Sequence, residues 1–359
     1  MSSRTTRLNL QADRIEMVLA QHKLPAMVSG GIVTPRVVRF NLNLAQQAKL
    51  SKLQGLADEI ALALGATAVR IQREGGSVQI EIPRDEREPI SLLKLCRQLG
   101  NAPTATAVLG LDTVGQPLLL RLSSASIAHA LVAGTTGSGK TALMRSMLLS
   151  LCRFNRASDL RLVLIDPKGR GFEPLSDMPH LLYPIVRETD DAIQVLQKLV
   201  SHMERRDAEN VERPRVIVAI DELADLLQTG GSHLEQPLMR LVQRGRQSGM
   251  HVIAATQKPS SKVMSSVIKS NFPTRLVGKV ASPEDARTAA GIGGTGAEKL
   301  GGHGEFLLIA EGQMIRFQSA YASREEVSAL SQEMRQPASR LILNEAGVLE
   351  TRSYGGNWQ

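Results

Sequence analysis

The spacing of apolar residues changes character partway along the chain. Over the first hundred residues they alternate or recur at helical intervals; from about residue 105 they run consecutively in short blocks. Leu8, Ile15, Val18 and Leu19 share one face of a predicted amphipathic helix over 1–25, either exposed or docked. VVRFNLNL at 37–44 puts Val38, Phe40, Leu42 and Leu44 on one side of a strand. Leu53, Leu56, Ile60 and Leu64 then recur at helical spacing, and Gly65 follows as a C-cap. AVRIQ at 68–72 and VQIEIP at 78–83 predict two further strands, joined by a turn at Glu74-Gly75-Gly76. The result is a small β-α-β-β unit without a catalytic constellation.

Beyond residue 105 the apolar blocks are IAHALVA at 127–133, RLVLID at 161–166, RVIVAID at 215–221, HVIAATQ at 251–257 and RLVGKV at 275–280, with helical patterns between them. Strands that are apolar on both faces and separated by helices predict a mainly parallel α/β sheet covered on both sides. FLLIA at 306–310 and MIRFQSA at 314–320 flank Glu311-Gly312 and predict a terminal hairpin. The tail from Ser323 reads as a helix followed by a frayed end. The expected division is an N-terminal arm over 1–27, a small α+β domain over 28–104, an α/β domain over 105–322 and a C-terminal helix and tail over 323–359.

Composition narrows the partners. Of 359 residues 42% are hydrophobic and 22% charged, as in a globular protein. A formal net charge of +8 favours a polyanionic partner. Only 3% of residues are aromatic, which argues against a surface that stacks single-stranded bases. Cys96 and Cys152 form no CxxC motif, so neither a zinc site nor a disulfide framework is expected, and a reducing cytoplasm fits. No apolar run of membrane-spanning length occurs, so direct membrane insertion is not expected.

The strongest chemical signal is Gly134-Thr135-Thr136-Gly137-Ser138-Gly139-Lys140-Thr141, followed by Ala142, between an apolar strand and a helical pattern. Glycines let backbone N–H groups wrap phosphates, and the helix that opens here favours negative charge. Lys140 is then placed for the β- and γ-phosphates of ATP and the Thr141 hydroxyl for Mg²⁺. A second apolar strand, VIVAI, ends in Asp221-Glu222. An acid delivered this way enters the Mg²⁺ shell, so Asp221 is the expected metal-site carboxylate and Glu222 the general base. Both also suit the cap of the next helix. Gln257, at the end of another strand, reads either as a γ-phosphate sensor or as a strand-end glutamine. Asp166 ends a strand before Pro167, Lys168 and Gly169 and reads as a turn near the site, not as catalytic.

Several further stretches give the chain a resemblance to the FtsK/SpoIIIE family of DNA translocases. They are AHALVAGTTGSGKT at 128–141, LVLIDPKG at 162–169, PHLLYPIV at 179–186, SHMERR at 201–206 and VIVAIDELADLL at 216–227. GRQSGMHVIAATQKPS at 245–260, VIKSNFPTRLVGKV at 267–280 and GAEKLGGHGEFLL at 296–308 follow in the family's order. The likeness covers about 105–320 and reaches back to about residue 28 through the small domain. It implies a RecA-like P-loop NTPase motor, ATP and Mg²⁺ at the interfaces of a homo-hexamer, and double-stranded DNA in the pore.

The resemblance also implies residue roles. Arg246 stands at the family's position for an arginine that completes a neighbour's site, and Arg275 is a second candidate; a surface or intrachain ion pair is the alternative for each. Lys258, Ser260, Ser261, Lys262 and Lys269, after Gln257, fall in the region of the pore-facing loops, with Arg287 in the next segment. Lysines and hydroxyls there suit phosphate contact without base readout. Pro283-Glu284-Asp285 departs from the basic character the family tends to show, and Gly291-Ile292-Gly293-Gly294-Thr295 looks rearranged. Neither membrane spans nor a winged-helix module is found in the chain, so septal anchoring and recognition of orienting sequences are not expected of it. A conjugative DNA-transfer ATPase and a protein-secretion ATPase of the same fold are the alternatives.

Overall fold

A computed structural model of the protein describes residues 3–24, 26–33, 37–44, 50–74, 77–84, 89–257, 270–334, 340–343 and 349–352. The chain forms two compact units. The first comprises Met1–Pro89 with Thr113–Gln116, the second Ile90–Asp112 with Pro117–Gln359.

The first unit contains α1 (Ser3–Gln21), β1 (Ala26–Val33), β2 (Val37–Leu44), α2 (Leu50–Gln54), α3 (Ala57–Leu64), β3 (Arg70–Glu74) and β4 (Ser77–Pro83). Its four strands are antiparallel in the order β1-β2-β4-β3. Ile15 and Leu19 of α1 are fully buried with Phe40, Leu42, Ile60 and Ile80 in one core. The first helix is therefore part of this unit and not a separate arm. Gly65 closes α3 in the left-handed conformation, φ 64°. β1 was not expected from the sequence. It carries Gly30 and Gly31 at a register shift, and a Cβ at Gly31 would stand 2.5 Å from the Arg39 carbonyl oxygen. Glycine is needed for that approach, and it erases the alternation by which strands are recognised.

The second unit opens with β5 (Ile90–Ser91) and α4 (Leu92–Leu99), then the hairpin β6 (Thr106–Asp112) and β7 (Pro117–Arg121). β8 (Ala130–Ala133), α5 (Lys140–Phe154), β9 (Leu160–Ile165), α6 (Thr189–Glu209), β10 (Arg215–Ile220) and α7 (Leu223–Arg244) follow. The chain continues through β11 (Met250–Thr256), β12 (Thr274–Val277), α8 (Pro283–Ala290), β13 (Glu305–Ala310), β14 (Gln313–Tyr321) and α9 (Arg324–Met334). It ends in an antiparallel pair, β15 (Arg340–Leu343) and β16 (Leu349–Arg352), where only a frayed tail was expected. The division between units falls at Pro89 and Ile90 instead of 104/105, because Ile90 and Ser91 pair with Ala320 and Tyr321 of β14.

The main sheet runs β7-β6-β14-β13-β12-β8-β11-β10-β9, with β5 beside β14. Its five strands from β12 to β9 are parallel; β13, β14, β6 and β7 extend it antiparallel. Alternate residues enter opposite cores. Ala130, Val132, Ile217, Ala219 and Ile253 pack with Leu143 and Met147 of α5; Leu131, Val216, Val218, Ile220 and Val252 pack with Leu196 and Leu199 of α6 and Leu226 of α7. Burial on both faces is why these strands read as unbroken apolar runs. The strand that carries the glycine loop, β8, and the strand that carries Asp221, β10, flank β11. This is the RecA-like P-loop arrangement.

Candidate active site

The site lies at the carboxyl ends of the parallel strands, where an open α/β sheet leaves its crevice. β8 leads into the glycine loop, β10 into Asp221 and Glu222, β11 into Gln257, and β9 into Asp166. Four separate apolar runs thus bring their polar end residues to one edge.

The loop is built to hold an anion. Gly134, Gly137 and Gly139 take φ values of 154°, 81° and 100°. A Cβ at Gly139 would stand 2.9 Å from Gly304 N, whereas one at Gly137 would meet nothing within 4 Å. Glycine is therefore required at position 139 by close packing and at both positions by backbone conformation. Neighbouring segments pin the loop: Thr135 N donates to Lys279 O at 2.8 Å, His303 N to Gly137 O at 3.1 Å and Gly304 N to Ser138 O at 2.8 Å. The Ser138 hydroxyl donates to Thr135 O at 2.7 Å.

Lys140 opens α5 and is 6% exposed. Its Nζ donates to Gly134 O at 2.6 Å and Thr135 O at 3.1 Å, so the ammonium sits inside the loop's curve. Burial lowers its pKa, while Glu222 and Asp221 pull it the other way. A phosphate in the loop restores the balance by supplying negative charge.

Thr141 Oγ1 lies 3.3 and 3.5 Å from the two oxygens of Asp221. Burial, and next the charge of Asp166, raises the Asp221 pKa, so this carboxylate also lacks an adequate counter-charge. One hydroxyl and one carboxylate form the sparse oxygen set that suits Mg²⁺ shared with phosphates. Among the described residues no group of three or more His, Cys, Asp or Glu converges as an all-protein metal site. The donor set fits Mg-ATP.

Glu222 is 4% exposed and occupies the left-handed region at φ 62°, ψ 63°. Its Oε1 accepts from Gln257 N at 3.0 Å and the Thr256 hydroxyl at 3.5 Å. Its Oε2 lies 3.5 Å from Lys168 Nζ, which also approaches Asp225 Oδ2 at 3.2 Å. The Gln257 side chain in turn accepts from the Thr136 hydroxyl at 3.1 Å. Gln257 therefore joins the glycine loop to the glutamate.

Lys168 and Gly171 were not picked out from sequence. Asp166 accepts from the amides of Gly169, Gly171 and Phe172 at 3.0, 2.7 and 3.0 Å, which folds 166–172 against the site. A Cβ at Gly171 would lie 2.5 Å from Asp221 Oδ2 and 3.0 Å from Thr141 Cγ2. The available signal was that DPKGRG follows a buried parallel strand, whose carboxyl end must reach the crevice.

The remaining candidates lie elsewhere. Arg246 is exposed in the turn before β11, at the opposite edge of the parallel strands. A seven-residue strand spans about 20 Å, so Arg246 cannot serve its own chain's glycine loop. Arg275 lies within β12, where Nη1 donates to Ala289 O at 3.1 Å; burial lowers its pKa. It is engaged inside its own chain. Arg287 is exposed on α8. Lys258, Ser260, Ser261, Lys262 and Lys269 lie outside the described residues.

Residues 100–211 and 207–261 match the FtsK/SpoIIIE family, and residues 1–84 match the FtsK alpha domain. The second match begins at the first residue, so the likeness extends through α1 and not only from residue 28. The chain is 35% identical over 358 residues to the DNA translocase FtsK of Helicobacter pylori (strain ATCC 700392 / 26695), covering 90% of this chain and 41% of that protein. It is 35% identical over 350 residues to the DNA translocase FtsK of Bacillus anthracis, covering 88% and 44%. The chain thus spans less than half the length of these relatives. Among solved structures it is similar in fold to the pCW3 conjugation coupling protein TcpA, monomer form with ATPgS. The TM-score is 0.62 and the identity 18%, over 91% of this chain and 99% of that one. The cytoplasmic domain of the Thermomonospora curvata type VII secretion ATPase EccC has a TM-score of 0.60 and 20% identity, over 69% and 34%.

Proposed function

The chain belongs to the FtsK/SpoIIIE family, and on that premise we propose that it couples ATP hydrolysis to movement along double-stranded DNA as a hexameric ring of its own copies. One observation carries the reading. The glycine loop, the Thr141–Asp221 pair and Glu222 sit at one edge of the parallel sheet, while Arg246 sits exposed at the other. Such a division suits head-to-tail assembly, in which each arginine faces the next chain's nucleotide.

In this reading the backbone of Gly134–Gly139 cradles the phosphates and Lys140 turns from the loop carbonyls to the β- and γ-phosphates. Thr141 and Asp221 would hold Mg²⁺, which when bound would supply positive charge to the phosphate oxygens. Glu222 polarises the attacking water, and its hold on Gln257 N orients the carboxylate. Arg246 of the neighbouring copy stabilises charge that develops on the transferred phosphoryl group. The residues after Gln257 then carry the change to the DNA. The names of the full-length relatives support a DNA substrate, as does the +8 charge. Weak salt dependence of substrate binding would instead favour a peptide.

The test is ATP turnover without nucleic acid, with linear duplex and with single strands, at rising salt. Duplex is expected to stimulate turnover, with the stimulation lost at high salt and absent in Lys140→Ala. Assembled protein that binds ATP yet responds to neither nucleic acid would refute the DNA reading.

A further inference from the structure

An arginine that must reach a neighbour's phosphate is useful only on a loop held in one place. The turn that bears Arg246 is held from α6. The turn closes on itself, with Met250 N donating to Gly245 O at 2.7 Å and Gly249 N to Arg246 O at 3.2 Å. Gly249 has φ 68°, and a Cβ there would stand 2.0 Å from Glu212 O, so the loop passes directly over the segment after α6.

Ser248, 1% exposed, is the anchor. Its hydroxyl donates to Asp207 Oδ1, and its carbonyl accepts from Arg206 Nη1 at 3.0 Å. The other oxygen of Asp207 accepts from Arg244 Nη2 at 3.0 Å, at the last residue of α7. Asp207 thus ties together α6, the end of α7 and the turn. Arg206 is 2% exposed, a setting in which charged hydrogen bonds are strong and costly to break. Arg246 stays exposed, beside a polar cavity of about 550 Å³ lined in part by Arg206, Asp207 and Arg244.

We propose that Asp207, acting with Arg206 through Ser248, is the positioning residue for Arg246 and hence for catalysis in the neighbouring copy. The inference rests on the reading of Arg246 as acting between chains. It gives the SHMERR segment and its following aspartate a role in the motor: they set the point from which the arginine reaches out. Arg246 carries the charge, while Asp207 and Arg206 fix its origin.

The test uses the full chain and mixed rings. Asp207→Ala is expected to lower duplex-stimulated kcat about 100-fold with little change in KM for ATP, because a displaced catalytic group costs rate before binding. Asp207→Asn keeps the acceptor for Ser248 and should fall between Asp207→Ala and the unsubstituted protein. It also supplies the readout if the alanine variant fails to fold. Asp207→Ala chains, slowed about 100-fold alone, and Lys140→Ala chains, inactive alone, are then mixed before ring assembly. Random head-to-tail pairing places a sound site beside a sound arginine at about a quarter of interfaces, so turnover should recover towards that fraction. Arg246→Ala mixed with Lys140→Ala should recover likewise, and Asp207→Ala mixed with Arg246→Ala should not. Recovery for Arg246→Ala but not for either Asp207 variant would overturn the positioning role. So would unchanged turnover in Asp207→Ala. No recovery for Arg246→Ala would remove the interchain reading and the proposal with it.

Discussion

Glu222 holds a left-handed backbone conformation that costs a non-glycine residue about 1–3 kcal/mol. Bonds from Gln257 N and the Thr256 hydroxyl hold its carboxylate in place. The strain is consistent with a group placed for chemistry. Glu222→Gln should retain ATP binding but lower turnover by about 10²- to 10⁴-fold; single-turnover hydrolysis checks this, and a normal rate would remove the assignment. Gly171 makes a second prediction. A methyl group there meets Asp221 Oδ2 at 2.5 Å, so Gly171→Ala should weaken Mg-ATP binding while leaving metal-free nucleotide binding near normal. Titration with and without Mg²⁺ separates the two. The difference between these residues is also a difference in legibility. Lys140, Thr141, Asp221 and Glu222 could be read from the sequence because phosphate chemistry demands those side chains at that spacing. Gly171 and Lys168 could not, because their roles arise from a turn that Asp166 folds against two other strands.

At the scale of elements, His129, just before β8, and His251 of β11 are both buried. His129 Nδ1 accepts from Val252 N at 3.0 Å, and His251 Nδ1 donates to Ala128 O at 3.0 Å. Burial pushes their pKa values down, to about 3 for His129 and about 4 for His251, from 6.5. Both are neutral in the folded chain, whereas the unfolded chain takes up their protons below pH 6.5. Stability should therefore fall as pH drops from about 6.5, by roughly 2 kcal/mol per histidine between pH 7 and pH 5. Urea midpoints at the two pH values test this, with His251→Gln expected to remove part of the dependence; a midpoint that does not move would contradict it. The central strands were legible because burial on both faces leaves unbroken apolar runs of four to seven residues, too short for buried helices and separated by helical patterns. Gly30 and Gly31 concealed β1 by the close approach that makes the strand possible. The helix over 1–25 was legible as a helix, but its docking was not, since periodicity marks an apolar face and not what covers it.

For the whole molecule, the separation of chemistry between two edges of one sheet matters most. The nucleotide loop and the exposed Arg246 are too far apart to serve one site, so a single copy is an incomplete enzyme in this account. The sequence marked both groups but could not place them on opposite edges; the parallel pairing of β8 with β11 did that, since the loop follows β8 and Arg246 precedes β11. No helix among the described residues is long and apolar enough to cross a membrane. In the proposed reading the basic excess would supply a sequence-independent attraction to phosphate, as a motor that must pass over any sequence requires. Movement itself is the central claim, and displacement of a third strand from linear duplex DNA measures it most directly. The account predicts ATP-dependent displacement with a lag that grows in proportion to the distance travelled, abolished by Lys140→Ala and Glu222→Gln. Duplex-stimulated ATP hydrolysis without any displacement would contradict it.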